Sequence, residues 1–238
     1  MRTGNRSETP TTRGPKRRRK PESIPLRPPV DNGVTIADLL KRLGNIPASR
    51  VRLDPAPGTA TEKDVLKVLD RENRPCELVD GTLVEKPVGY EESEIAATII
   101  ILLGSFVRRH KLGIVTGPDG SIRLFPGLVR IPDVAFASWD CFPGRKRPKA
   151  PIPHLAPDLV VEVLSKGNTK AEMNRKLREY FEAGVRLVWM VDPKKRAVRV
   201  HTAVDQSVLL GEDQSLDGGA VLPGFVLPLN ELFVKDEP

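Results

Sequence analysis

The most informative segment of this chain is Pro157-Asp158-Leu159-Val160-Val161-Glu162-Val163-Leu164-Ser165. It is a nearly continuous apolar run with β-branched residues at its centre, which is typical of an interior strand. A carboxylate inside such a strand is unfavourable unless it is paired, protonated or bound to a cation. Glu162 is therefore a candidate functional residue.

A second apolar stretch carries an acid at its beginning: Ile131-Pro132-Asp133-Val134-Ala135-Phe136-Ala137. Strand alternation places Asp133 on one face with two alanines, which leave room for a ligand. If the two strands pair, Asp133 and Glu162 can meet at one cation, because hard divalent cations prefer carboxylate oxygens. The alternative is that Asp133 is a turn acid beside Pro132 and that Glu162 neutralises a buried arginine such as Arg130.

Two predicted helices direct further charged side chains inward. Helical spacing places Lys176 on the apolar stripe of a helix predicted from residue 169 to residue 183. A buried ammonium needs an anionic partner, unless the side chain extends to solvent at the edge of the stripe. Glu92 lies on the inward stripe of a helix predicted over residues 91–110. An acid in the first turn of a helix is also favourable through the helix dipole alone.

Positive charge is concentrated at the N-terminus. Residues 1–30 hold nine of the 38 Lys and Arg and two of the 31 Asp and Glu, which leaves 29 of each in the remainder. Residues 1–30 therefore account for the net charge of +7, and they lie in a predicted disordered tail, residues 1–32. This tail is either a tether for polyanions or a solubilising extension. The basic pI is no argument for nucleic acid binding by the folded part.

Cysteine usage and hydropathy exclude several classes of protein. Cys76 and Cys141 fit neither a zinc-ligand spacing nor a disulfide framework. The longest apolar stretch, residues 95–107, is shorter than the ~20 residues of a membrane-spanning helix. No HExxH motif, P-loop or nucleophile elbow is present. We expect a soluble, cytoplasmic protein without a membrane partner.

The order of elements predicts a mixed α/β fold. Residues 33–74 are predicted to form a helical N-terminal extension, and residues 75–238 the main domain. The main domain begins with a hairpin at Asp80-Gly81 and continues with a long helix, short strands, a second helix and another hairpin. This order predicts a mixed central β-sheet flanked by helices.

The ordered motifs resemble the Uma-type putative restriction endonuclease family, which belongs to the PD-(D/E)XK nuclease superfamily. The resemblance covers about residues 75–233. It is carried by residues 77–84, 130–136 and 157–165, by the helix with Lys176 and Tyr180, and by residues 184–193. It implies a restriction-endonuclease-like PD-(D/E)XK core.

The resemblance also implies a function and a site. Members would hydrolyse nucleic acid with Mg²⁺ or Mn²⁺ as the cofactor, and DNA is the expected substrate, although the sequence leaves DNA and RNA open. The metal ligands would be Asp133, Glu162 and Glu92.

The catalytic lysine departs from the superfamily pattern. That pattern places a lysine two residues after the strand glutamate, where this chain has Leu164. The resemblance implies Lys176 in its place, with Lys166 as the second candidate. A catalytically silent nucleic-acid-binding module and a structural domain with salt-bridged acids are the alternatives. The sequence leaves monomer and homodimer open.

Overall fold

A computed structural model describes residues 35–87 and 89–233 of the protein. The predicted basic tail, residues 1–32, lies outside these ranges. The helices are α1 Ile36–Arg42, α2 Glu62–Glu72, α3 Tyr90–Arg109, α4 Lys170–Ala183 and α5 Leu229–Leu232. The strands are β1 Cys76–Val79, β2 Thr82–Glu85, β3 Gly113–Thr116, β4 Ile122–Phe125, β5 Leu128–Arg130, β6 Val134–Ser138, β7 Leu159–Val163, β8 Leu187–Asp192, β9 Ala197–His201, β10 Ser207–Gly211, β11 Ser215–Asp217 and β12 Val226–Pro228.

A six-stranded mixed sheet forms the centre of the fold. Its strand order is β10-β9-β8-β7-β6-β3, and β7 and β8 are parallel while the other neighbours are antiparallel. Apolar residues of α3 pack with Val134, Phe136, Leu159 and Val161 on one face. Apolar residues of α4 pack with Val160 and Val188 on the other. The predicted mixed α/β fold with a helix-flanked central sheet is therefore confirmed.

A second sheet lies beside the central one, with strand order β2-β1-β5-β4. The predicted hairpin is present as β1 and β2, and Asp80 and Gly81 both have positive φ, 50° and 69°. This backbone geometry matches the twist of a two-residue hairpin. Strand β1 also pairs with β5 through Leu78 and Val129. The hairpin therefore belongs to this second sheet and not to the central sheet.

The ends of α4 fix its position on the central sheet. Thr169 caps its first turn by accepting a hydrogen bond from the backbone N–H of Glu172, as part of a capping box. Gly184 ends the helix with φ 99°, a left-handed conformation that glycine adopts without strain. Because both ends are defined, the inward face of α4 is defined as well.

Residues before the hairpin pack against the start of α4. Arg50 donates two hydrogen bonds to Glu172, at 2.8 and 2.9 Å, and both side chains are buried. The Thr169 hydroxyl donates to the carbonyl of Gly44 at 2.5 Å. A Cβ atom at residue 44 would lie 2.6 Å from the backbone of Glu172, so only glycine permits this approach. The N-terminal helices are thereby attached to the helix that carries Lys176.

The longest helix in the described ranges is α3, with 20 residues. It is not apolar enough to cross a membrane, and neither is any other helix of the described part.

Candidate active site

Two carboxylates lie side by side at one end of the central sheet. Val134 of β6 pairs with Val161 of β7, and continuing this register by one residue brings Asp133 opposite Glu162. The backbone N–H of Val163 donates to Asp133 Oδ2 at 2.6 Å, which holds the aspartate against β7. The structure thus places both acids on the face covered by α4.

Lys176 points inward from α4 and contacts Glu162. Its Nζ donates to Oε1 and Oε2 of Glu162 at 3.1 and 3.2 Å, and the residue is only 2% exposed. The alternative that Lys176 extends to solvent is therefore wrong. Lys166, the second candidate, is exposed beyond the end of β7.

The same ammonium contacts a second carboxylate, Glu77 of β1. Lys176 Nζ lies 3.0 Å from Glu77 Oε1, and both side chains are almost completely buried. Glu77 Oε1 also accepts a hydrogen bond from the backbone N–H of Ile131 at 3.2 Å. Lys176 therefore joins the central sheet to the second sheet.

Arg130 at the end of β5 completes this buried network. Its Nη1 lies 2.6 Å from Glu77 Oε2, and its Nη2 lies 2.5 Å from Glu179 Oε2. Arg175 donates to the other oxygen of Glu179 at 2.7 Å. The sequence-based alternative that Arg130 neutralises Glu162 is wrong, because the partner of Glu162 is Lys176.

Tyr180 lies one helical turn after Lys176 and donates a hydrogen bond to Glu162 Oε1. Burial raises the pKa of the Tyr180 hydroxyl, and the charges of Glu162 and Glu77 raise it further. Tyr180 therefore stays protonated and donates to the carboxylate. Its spacing of four residues from Lys176 puts both groups on the same helix face.

The pKa values of the two glutamates that share Lys176 are shifted in opposite directions. Burial alone would raise the pKa of Glu77, but the charges of Lys176 and Arg130 lower it to about 2. Burial raises the pKa of Glu162; Lys176 opposes this rise, and the negative charges of Asp133 and Glu77 add to it. Of these two glutamates, Glu162 is therefore the one whose negative charge is less well compensated by the surrounding cations.

Lys86 supplies positive charge next to Asp133. Its Nζ lies 2.8 Å from Asp133 Oδ1, and the lysine side chain is 6% exposed. The angles of this contact do not meet hydrogen-bond geometry, and Lys86 Nζ has no other hydrogen-bond acceptor within the described ranges. The contact is therefore a Coulombic one in which the ammonium remains incompletely satisfied.

Glu92 is not brought into contact with these acids. Its carboxylate folds back onto Gly89, the N-cap residue of α3. If residue 89 had a Cβ atom, that atom would lie only 1.8 Å from Oε2 of Glu92. Across residues 35–87 and 89–233, no group of three or more His, Cys, Asp or Glu is arranged to hold a metal ion. Of the three carboxylates predicted as metal ligands, Asp133 and Glu162 lie opposite each other on neighbouring strands, and Glu92 does not contact them.

This pair nevertheless has the chemistry of a site for a hard cation. It offers carboxylate oxygens on adjacent strands, and Mg²⁺ is commonly held by one or two carboxylates. The raised pKa of Glu162 indicates that Lys176 compensates the negative charge of this carboxylate only in part. Asp133 and Glu162 therefore fit a divalent cation, for which Lys86 would have to move away.

Sequence reasoning missed Glu77 and Lys86 as members of the site, and it considered Arg130 only as a partner of Glu162. A signal for Glu77 was present, since Cys76-Glu77-Leu78-Val79 has the same pattern of a carboxylate in an apolar strand as the stretch around Glu162. Lys86 carries no such signal, because it lies in a Pro-Gly-containing connection directly after a strand.

Glu77 provides a prediction for the pH dependence of stability. Its pKa of about 2 is below its usual 4.5, so its contribution is complete above pH 4.5 and is lost as pH falls toward 2. Glu77→Gln should lower the free energy of unfolding near neutral pH by on the order of 3 kcal/mol and flatten its acid dependence. Urea unfolding across this pH range measures both effects.

The matched control for this experiment is Glu91→Gln, which changes an exposed acid in the first turn of α3. It should keep the acid dependence of the unaltered protein. Parallel stability curves for Glu77→Gln and the unaltered protein would contradict the lowered pKa of Glu77.

Comparison with known proteins places this geometry in a family. A family model, Uma2, described as "Putative restriction endonuclease", matches residues 63–230. A crystal structure described as that of a putative nuclease belonging to DUF820 from Anabaena variabilis ATCC 29413 has a similar fold, with a TM-score of 0.60 and 19% sequence identity. The similarity covers 68% of this chain and 90% of that chain. No curated protein matches the chain.

Proposed function

The chain belongs to the Uma2 family of "Putative restriction endonuclease" proteins, and we therefore propose that it is a metal-dependent nuclease that hydrolyses the phosphodiester bonds of nucleic acid, with DNA as the expected substrate. The observation that carries the proposal is the buried contact of Lys176 with Glu162, one strand away from Asp133. It joins a pair of potential metal ligands to a buried ammonium group.

In this proposal Asp133 and Glu162 hold Mg²⁺ or Mn²⁺. The bound ion would polarise the phosphate, promote ionisation of the attacking water and neutralise the leaving oxygen. Tyr180 keeps one oxygen of Glu162 in place, and the N–H of Val163 does the same for Asp133. Glu92 would be a third, outer carboxylate, once its side chain turns away from Gly89.

Lys176 acts through its charge. Burial opposes ionisation, but the carboxylates of Glu162 and Glu77 raise the pKa of Lys176 above its usual value. The ammonium therefore stays protonated and does not serve as a general base. It can hydrogen-bond the attacking water or stabilise the negative charge that develops on the phosphate.

Asp133→Asn tests the proposal. The change removes one negative charge and one metal ligand, and we expect it to reduce cleavage by at least about 10²-fold. Plasmid, linear duplex and single-stranded substrates should be incubated with Mg²⁺ or Mn²⁺ and the products separated on gels. The matched control is Asp119→Asn in an exposed turn, which should cleave normally.

Metal binding itself gives a second readout that does not depend on activity. Saturating Mn²⁺ should raise the melting temperature of the unaltered protein, and the rise should disappear in Asp133→Asn. Lys86→Met should strengthen the response, because it removes the ammonium that occupies the place beside Asp133. Cleavage by Asp133→Asn at the normal rate, or an unchanged metal response, would refute the proposed site.

The silent binding module is the second candidate, and a specific observation favours it. Lys86 lies against Asp133 and Lys176 lies against Glu162, so each of the two carboxylates already has an ammonium partner without a metal. In that case neither Mg²⁺ nor Mn²⁺ would change the melting temperature, and nucleic acid would be bound without being cut.

We also place this activity in the cytoplasm. The spacing of Cys76 and Cys141 fits no disulfide framework, which is typical of proteins from a reducing compartment. Burial raises the pKa of Cys76 to about 11, which makes its thiol unreactive.

A further inference from the structure

A basic cavity of about 460 Å³ lies next to the candidate active site. It is formed between the first turns of α4 and the adjoining parts of β8, β9 and β10. Its volume falls in the range of about 300–1,000 Å³ that is usual for small-molecule sites. The family likeness and the proposed cleavage site assign no role to this cavity.

The floor of the cavity lies on the same sheet face as Asp133 and Glu162, on the next strands across the central sheet. In the sheet register Glu162 is next to Met190, Met190 next to Arg199, and Arg199 next to Leu209. The last three of these residues line the cavity. Because neighbouring strands are about 4.8 Å apart, Arg199 lies roughly 10 Å from Glu162 on the same sheet face. This separation corresponds to one or two nucleotides of a bound strand.

The charge of the cavity suits an anion. Four basic residues line it, Lys170, Lys194, Lys195 and Arg199, against one acid, Asp192. That acid is already engaged, because its carboxylate lies 3.0 Å from Lys195 Nζ. All four basic residues are exposed at the rim.

The interior of the cavity is different from its rim. Met173 and Met190 provide buried apolar surface, and His201 is only 7% exposed. Neither ring nitrogen of His201 has a hydrogen-bond partner among the described residues. Burial lowers the pKa of His201, and Arg199 adds to the effect, so the neutral ring offers one donor and one acceptor. A phosphate group would need only the basic rim. The apolar interior with its neutral His201 ring suits a planar, partly apolar group that has hydrogen-bonding edges.

We propose that this cavity binds one unpaired nucleotide of the substrate strand, next to the phosphate that is cleaved. The base contacts Met173 and Met190 and is hydrogen-bonded by His201, while its phosphates lie against the basic rim. This inference rests on the proposed nuclease function and adds the class of substrate. A base enters such a cavity only when it has left the stack, so the protein prefers single-stranded or locally unpaired nucleic acid.

The test uses residues at the exposed end of the cavity, where substitution leaves the core intact. Leu209→Trp fills the cavity from β10, and Arg199→Ala removes a rim cation. The matched control is Val208→Trp, because Val208 is the exposed neighbour on the same strand and points to the opposite sheet face. Binding to a single-stranded oligonucleotide, to the matching duplex and to a free nucleoside monophosphate is measured by fluorescence, with 2-aminopurine as the base probe and Ca²⁺ in place of Mg²⁺.

We expect the full-length protein to bind the single strand at least about tenfold more tightly than the duplex. Leu209→Trp and Arg199→Ala should remove this preference, and Val208→Trp should keep it. Equal binding of both substrates, or equal behaviour of Leu209→Trp and Val208→Trp, would overturn the inference. So would binding of the free nucleotide alone, because it would assign the cavity to a separate ligand.

The outcomes also separate this inference from the proposed cleavage. Cavity-dependent binding without cleavage in Mg²⁺ or Mn²⁺ would support the subsite and refute the nuclease activity. Cleavage that depends on Asp133 but is unaffected by Leu209→Trp would support the nuclease and refute the subsite.

Discussion

Lys176→Met should abolish nucleic acid cleavage and destabilise the fold at the same time. Cleavage should fall by at least about 10²–10³-fold, because the only buried ammonium in contact with Glu162 in the described ranges is lost. The free energy of unfolding should fall by about 3–5 kcal/mol at neutral pH, since Glu77 and Glu162 are left without their shared partner. Gel assays and urea unfolding measure the two effects.

The stability loss should depend on pH in a defined direction. Burial already raises the pKa of Glu162, and removing Lys176 raises it further. An acid whose pKa is higher in the folded than in the unfolded state favours folding at low pH and disfavours it as pH rises. The destabilisation of Lys176→Met should therefore be largest in alkaline solution and smaller in mild acid.

A double variant separates the catalytic role of Lys176 from its structural role. The double variant Glu77→Gln, Lys176→Met removes one of the two carboxylates that contact Lys176, and it leaves Asp133 and Glu162 unchanged. We expect it to regain part of the lost stability without regaining cleavage. Recovery of cleavage together with stability would show that Lys176 only supports the fold, and would move the catalytic assignment to Lys166.

Arg130→Met should destabilise the fold about as strongly as Lys176→Met. Arg130 is 2% exposed and pairs with Glu77 and Glu179, which lie on different elements. Removing one partner of a buried charge network destabilises by about 3–5 kcal/mol, because the remaining charges stay buried and less compensated. Without Arg130, less positive charge would offset the effect of burial on Glu77, so the pKa of this carboxyl should rise from about 2. Urea midpoints and melting temperatures measure the loss.

Two further variants make this result interpretable. Arg130→Met combined with Glu179→Gln should regain part of the stability, because it removes one stranded carboxylate. Arg145→Met breaks an exposed pair with Asp140, whose side chains are 71% and 83% exposed, and should leave the melting temperature unchanged. Equal melting temperatures for Arg130→Met and Arg145→Met would contradict the role of Arg130 as a buried clamp.

Local pattern was sufficient for much of the fold. The apolar run around Glu162, the hairpin at Asp80-Gly81 and the helix that ends at Gly184 were all predicted and are present. These features depend on side-chain periodicity and on the conformational range of a few residues. The division of the strands into separate sheets was not predicted, because the pairing of β1 with β5 joins residues that are distant in the sequence.

The candidate site divides in the same way. Strand and helix periods predicted that Glu162 and Lys176 share a face with apolar neighbours, whereas a turn position for Asp133 and an exposed end for Lys176 stayed open. Only the tertiary structure decided their partners: Lys176 between Glu162 and Glu77, Lys86 beside Asp133, and Arg130 bound to a glutamate 53 residues away. It also decided that Glu92 folds back to Gly89. Periodicity acts within one element, whereas a buried charge takes as its partner whichever opposite charge the assembled sheets and helices bring within a few ångströms.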